Sequence, residues 1–239
     1  MALRKHVLAT AVAGAAAAVV LAGCSGGGGD DGLASKSADE IQESARKAMK
    51  SAKSMSFDAK VTQNGKPMEM KMSMEKGAGK CTGTISMGQG TAQILKVGED
   101  SYIKADKQFW TDNAGSASQA GAIVELIGDR WMKMEPGDDS FTSACDLAQF
   151  QKSMKKSKDA KLTKGEESTV NGTKAIAVTE KKKDETTTMQ VATEGKPYVL
   201  KLVTKDGDSP GTATFSDFNE PVKAKAPAAN DVIDAAKLR

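Results

Sequence analysis

Histidine is nearly missing from this sequence of 239 residues: the one copy is His6. Everything after it lacks the side chain that most often serves as general base, as partner to a nucleophile or as zinc ligand. Ser-His-Asp and Cys-His pairs are therefore excluded from the rest of the chain. Carboxylate or lysine chemistry stays formally open, but no stretch places two such groups in a recognisable arrangement. The chain reads as a non-enzyme without cofactor or metal motif. Aromatic residues are scarce as well, at 4%. Beyond the N-terminal region no segment is long and apolar enough to cross a bilayer, which takes about 20 apolar residues.

What the N-terminus does contain is a secretory pattern. Arg4 and Lys5 give a cationic start, Val7 to Leu21 is an apolar, charge-free run, and Ala22 and Gly23 are small. Leu21-Ala22-Gly23-Cys24 resembles the lipobox of bacterial lipoproteins. That resemblance implies cleavage before Cys24 and acylation of the Cys24 thiol. At about 0.8 kcal/mol per buried methylene, two acyl chains hold a soluble domain on a membrane, whereas one does so only marginally. Residues 1–23 are thus read as a signal peptide. Residues 24–36 are read as the lipidated cysteine and a flexible tether, with Gly26 to Gly29 unbroken. The expected place is the extracytoplasmic side of the cell membrane, with membrane lipid as partner through Cys24.

Removing residues 1–23 leaves 216 of the 239, enough for one domain, here 37–239, with a substantial core. Arg4 and Lys5 go with them, so 34 basic residues become 32, against 31 acidic ones. The basic pI of the whole sequence is then no argument for a nucleic-acid partner. With Cys24 acylated, Cys81 and Cys145 remain as a pair in an oxidising compartment. One bridge is possible, worth about 4 kcal/mol through its long loop. Two free thiols at a soft-metal site are the rival reading.

Ser37-Ala38-Asp39-Glu40 is a capping box. The helix it opens places Ile41, Ala45, Ala48, Met49 and Ala52 on one face and ends near Ser54. The period then changes to two. Phe57, Ala59 and Val61 alternate with charged residues up to the Asn64-Gly65 turn, and Met68, Met70, Met72 and Met74 alternate after it. With Asn64 and Gly65 as the turn residues, Phe57 faces Met72, Ala59 faces Met70 and Val61 faces Met68. The other face then pairs Lys60 with Glu69 and Asp58 with Lys71, opposite charges in each case.

Strands are expected near 81–87, 91–97 and 101–104. Helices are expected over 116–127, with Ala120, Ile123, Val124 and Ile127 on one face, and over about 146–154. Strands follow at 160–167, 174–181, 186–193, 197–204 and 211–218, and the tail shows a short helical pattern at 231–238. Consecutive strands with short turns favour one large curved antiparallel sheet, and its concave side is the economical place for the three helical faces. The fold class is α+β.

This layout resembles the LppX/LprG-type lipoproteins of actinobacteria, akin to the LolA/LolB carriers. The shared features are the lipobox cysteine, the glycine-rich tether and the Ala-, Lys- and Ser-rich first helix. The Ser54-Met55-Ser56-Phe57 strand entry, the Val97 to Tyr102 hairpin and the Phe215-Ser216-Asp217-Phe218 strand before Pro221 also fit. The resemblance implies a β half-barrel with helices on its concave side, an apolar cavity for acyl chains, and non-catalytic carriage of a lipid or glycolipid. It carries no catalytic residues and names no partner transporter.

Candidate lining residues are Phe57, Val61, Met68, Met70, Met72, Ile123, Val124 and Ile127. The methionine row has three readings. It is core, or a cavity wall adaptable to lipid tails, or a set of thioethers for Cu(I). Same-face neighbours along a strand stand nearly 7 Å apart, so one ion would need other strands. Lys181-Lys182-Lys183 beside Asp184-Glu185 reads as a solvated turn or as a contact for anionic headgroups. A filled core would instead make the domain a protein-interaction or sensory module.

Overall fold

The computed structural model describes residues 32–77, 79–113, 116–135, 137–138, 142–154 and 159–237. The expected signal peptide, Cys24 and the glycine run lie outside them. The first long element is helix α1 (Ala38–Ser51), opened by the capping box: Ser37 Oγ accepts from the Glu40 amide, and Glu40 accepts from the Ser37 amide at 3.0 Å. Its buried face, Ile41, Ala45, Ala48 and Met49, is the one the sequence marks.

Strands β1 (Ser54–Gln63) and β2 (Lys66–Glu75) form the expected hairpin in the expected register. Phe57 faces Met72, Ala59 faces Met70 and Val61 faces Met68. On the opposite face Lys60 meets Glu69 at 3.1 Å and Lys71 meets Asp58 at 3.3 Å. The meander continues through β3 (Lys80–Met87), β4 (Gly90–Val97), β5 (Asp100–Ala105) and the short β6 (Trp131–Lys133). A second meander comprises β7 (Lys161–Val170), β8 (Thr173–Lys182), β9 (Glu185–Ala192), β10 (Val199–Asp206) and β11 (Gly211–Ser216). β11 returns to pair with β1, and the two meanders become one sheet. With β12 (Val232–Asp234) the order is β12-β6-β5-β4-β3-β2-β1-β11-β10-β9-β8-β7. The sheet is curved and unclosed, and antiparallel except where β12 runs parallel to β6.

Three departures from the sequence reading have physical reasons. Lys107–Asn113 is a helix, α2, although its buried residues are only the adjacent Phe109 and Trp110, which give no helical period. The expected C-terminal helix is instead β12 between two 3₁₀ turns, Ala229–Asp231 and Ala235–Lys237. Its apolar residues Val232 and Ile233 join the free edge of β6, and that edge pairing overrides a weak local preference. β6 itself, three residues long, shows no alternation to read.

The tail that delivers β12 is latched to the start of β1. Asn219 accepts from the Lys53 amide at 2.9 Å and donates to the Tyr198 hydroxyl at 2.8 Å. The Tyr198 ring in turn stacks on Phe218 at 4.0 Å. Helices α3 (Ala117–Ile127) and α4 (Leu147–Ser153) complete the set. Residues of all four helices share one hydrophobic cluster with the inward residues of the sheet, including Met49, Phe109, Ile127 and Leu147 with Met55, Met72, Ile94, Val178 and Phe215. The helices therefore cover the concave side.

Candidate functional site

The inward face is a continuous apolar surface because the two-residue period holds across neighbouring strands. Met70 stands between Ala59 on β1 and Ile85 on β3, and Ala213 on β11 lies beside Ala59 and Leu202. The helices cover this surface unevenly. Ile94, Ile103, Val178 and Val191 are fully buried, each at 0% exposure. A strip across the middle of the sheet is packed against the core yet only half-buried: Phe57, Met70, Ile85, Leu200, Leu202 and Ala213; Ile123 and Val124 of α3 and Phe150 of α4 are half-buried against the same core.

The candidate lining residues divide accordingly. Met72 (2% exposed) and Ile127 (3%) are core. Phe57, Met70, Ile123 and Val124 lie in the half-buried strip. Val61 and Met68 face each other farther along, outside the buried cluster. There Met68 and Met87 line a groove of about 550 Å³ with Lys66 and Asp112. Burial of Met72 and Met74 argues for their role as core rather than as exchangeable thioethers for a copper ion.

The sequence places Leu147, Phe150 and Met154 on one side of α4 but shows neither the partners of Phe150 nor the role of Gln151. Phe150 of α4 lies 6.0 Å from the Phe215 ring, and Phe215 lies 6.5 Å from Phe57, so three elements distant in sequence share one aromatic contact line. Gln151, 4% exposed, donates to the carbonyls of Met49 and Ala52 at 3.0 and 2.8 Å. It thereby adds a second donor to the Met49 carbonyl, which also accepts from the Ala52 amide, supplies one to Ala52, and fixes α4 beside the end of α1. No sequence signal distinguishes this glutamine from those on wet helix faces. The Cys81–Cys145 disulfide ties β3 to the 3₁₀ turn just ahead of α4.

Electrostatics do not centre on the strip. The carboxyl of Asp100 is held below its usual range chiefly by its hydrogen bond to Lys133, whose ammonium is raised by the same contact, 2.7 Å long. That pair joins the ends of β5 and β6. Among the described residues no group of three His, Cys, Asp or Glu side chains could hold a metal ion, and no helix is long and apolar enough to cross a membrane.

This geometry defines a class: an open antiparallel sheet wrapped around helices, with an apolar inner face. Two solved structures share it. LprF from Mycobacterium bovis superposes with a TM-score of 0.59 at 13% identity, over 80% of this chain and 97% of that one. The lipoprotein LppX from Mycobacterium tuberculosis gives 0.50 at 14% identity, over 82% and 100%. No family model matches the sequence, and no curated protein matches it. The resemblance to the LppX/LprG-type lipoproteins is borne out in the fold, which this chain shares with LprF and LppX.

Proposed function

We propose that this protein is a lipid-anchored envelope lipoprotein that binds an acyl-chain-bearing lipid or lipid-linked molecule and shields its tails, without catalysis. The half-buried strip carries this reading. A filled core would bury Phe57, Met70, Ile85 and Leu202 as fully as Ile94 and Val178; instead they are packed against the core and only partly buried. Flexible and unbranched, Met70 suits tails of varied shape. Anchoring through Cys24 would keep such a site beside its ligand pool.

The test is native mass spectrometry with lipid extraction on the protein purified from a host that exports it. A reproducible co-purifying lipid is expected, lost in Met70→Glu and in Ile123→Trp, while circular dichroism stays unchanged. A ligand-free mass that persists after incubation with envelope lipids would overturn carriage and favour an interaction module.

A further inference from the structure

The two ends of the half-barrel differ. At the end bearing the Gly98 and Asn171-Gly172 turns the inner face is sealed, with Met55, Met74 and Val191 at 1%, 1% and 0% exposure. At the end bearing the Asn64-Gly65 and Lys183-Asp184 turns it is covered where α2 packs on Gly90 but not throughout: Val61, Met68 and Met87 are half-buried. The chain enters the domain at this unsealed end. α1 runs from it toward the sealed end, where β1 begins at Ser54. Gln42, in the second turn of α1, donates to Glu180 at 2.7 Å, two residues before Lys182 closes the β8–β9 pairing against Glu185. Lys164 of β7 donates to the carbonyls of Ala34 and Lys36 at 3.1 and 3.2 Å, holding the entering segment to the same side. The turn beside this entry exposes Lys181, Lys182 and Lys183, and none of the three has an ion pair among the described residues. The cleft behind the turn also holds Asp159, Asp184, Glu185 and Asp208, so attraction to an anionic surface would come from the three exposed lysine heads and not from the net charge of the turn.

We propose that the unsealed turn end docks on a lipid bilayer with anionic headgroups, Lys181 to Lys183 leading, so that the mouth of the apolar strip faces the membrane. This rests on Cys24 carrying the lipid anchor. Seven residues lie between Cys24 and Gly32, and the eight steps along the chain span at most about 28 Å when fully extended. β1 has ten residues and is about 33 Å long. A tether shorter than the barrel and attached at one end keeps that end, and not the sealed one, against the bilayer. Lysine clusters within a few ångströms of anionic headgroups are attracted to them, and salt weakens that attraction.

The experiment places a fluorophore on Asp184→Cys or on Asn171→Cys in the full lipidated chain. The chain is reconstituted on phosphatidylcholine vesicles with or without phosphatidylglycerol and with a headgroup quencher. Quenching at 184 should exceed that at 171 about threefold with phosphatidylglycerol present. It should fall to the level of 171 in high salt or when Lys181, Lys182 and Lys183 are all replaced by Glu. Equal quenching at the two ends, quenching at 184 that ignores salt and charge reversal, or a chain that does not float with the vesicles would each overturn the proposal. Lipid extraction from the same preparation separates the two readings. Co-purified lipid with equal quenching removes docking and leaves carriage; end-specific quenching without lipid removes carriage and leaves docking.

Discussion

Single side chains decide how firmly the roof is held. Gln151 is the clearest case, because its amide donates to two carbonyls at the end of α1. Gln151→Leu keeps the volume and leaves those carbonyls without this donor. The expected loss is about 2 kcal/mol, or a fall of roughly 4–8 °C in melting temperature for a domain of this size. A shift under about 1 °C would show that water replaces the amide without cost. The pH response is also set residue by residue. Glu40, Glu43 and Asp100 are lowered by hydrogen bonds to Ser37, Arg46 and Lys133 respectively, so they favour the fold above the unfolded carboxylate pKa, and that gain is lost as pH falls through their folded values. Lys133 and Lys174 are raised by Asp100 and Glu194, so their gain is complete below the unfolded lysine pKa and lost only as pH rises through the folded values. With no histidine after His6, thermal melts of the domain should be level between about pH 6 and 9 and decline below about pH 4.5. A midpoint near pH 6.5 would contradict this assignment.

At the scale of elements, legibility followed locality. The β1–β2 register was readable because one Asn-Gly turn satisfied an apolar face and two opposite-charge pairs at once. The inward face of α3 was readable from its spacing. α2 was not, since its place depends on a distant glycine rather than on its own pattern. A Cβ on Gly90 would fall on the backbone of Phe109, so α2 rests directly on β4 only because that position is bare. Gly90→Ala should lift α2, costing about 1–3 kcal/mol, with a red shift in the emission of Trp110, which is now 5% exposed. Unchanged emission would mean the strand yields instead of the helix. The disulfide acts on an element too. Reduction, or Cys81→Ala with Cys145→Ala, releases the turn ahead of α4 and removes about 4 kcal/mol of loop constraint. Hydrogen exchange should then rise first over residues 147–153. A uniform rise across the sheet would show that the bridge stabilises the whole fold rather than the roof.

The whole molecule hangs on a seam that no local pattern announces. β1 and β11 pair at residues 150 or more apart in sequence, Phe57 with Phe215 and Val61 with Gly211 among them, and this pairing fuses two hairpin meanders into one inner face. Alternation marks each strand but says nothing about which other strand it meets, so the sequence reading reached a single curved sheet without its central join. Close approach is built into that join: a Cβ on Gly211 would strike the backbone of Lys60 and Val61. The half-buried strip straddles it, with Met70 and Phe57 on one side and Leu202 and Ala213 on the other. A ligand lying in the strip therefore touches both meanders and adds contacts across the seam that the empty protein lacks. Binding only to the folded state stabilises by mass action, about 2.7 kcal/mol at a hundredfold excess of ligand over Kd. Delipidation should accordingly lower the melting temperature and raise hydrogen exchange most in β1 and β11. It should leave β7–β8, which the strip does not reach, nearly unchanged. Gly211→Val should weaken the seam in the empty protein and recover part of its stability when lipid is restored. If delipidation leaves β1 and β11 as protected as before, the ligand does not lie across the seam.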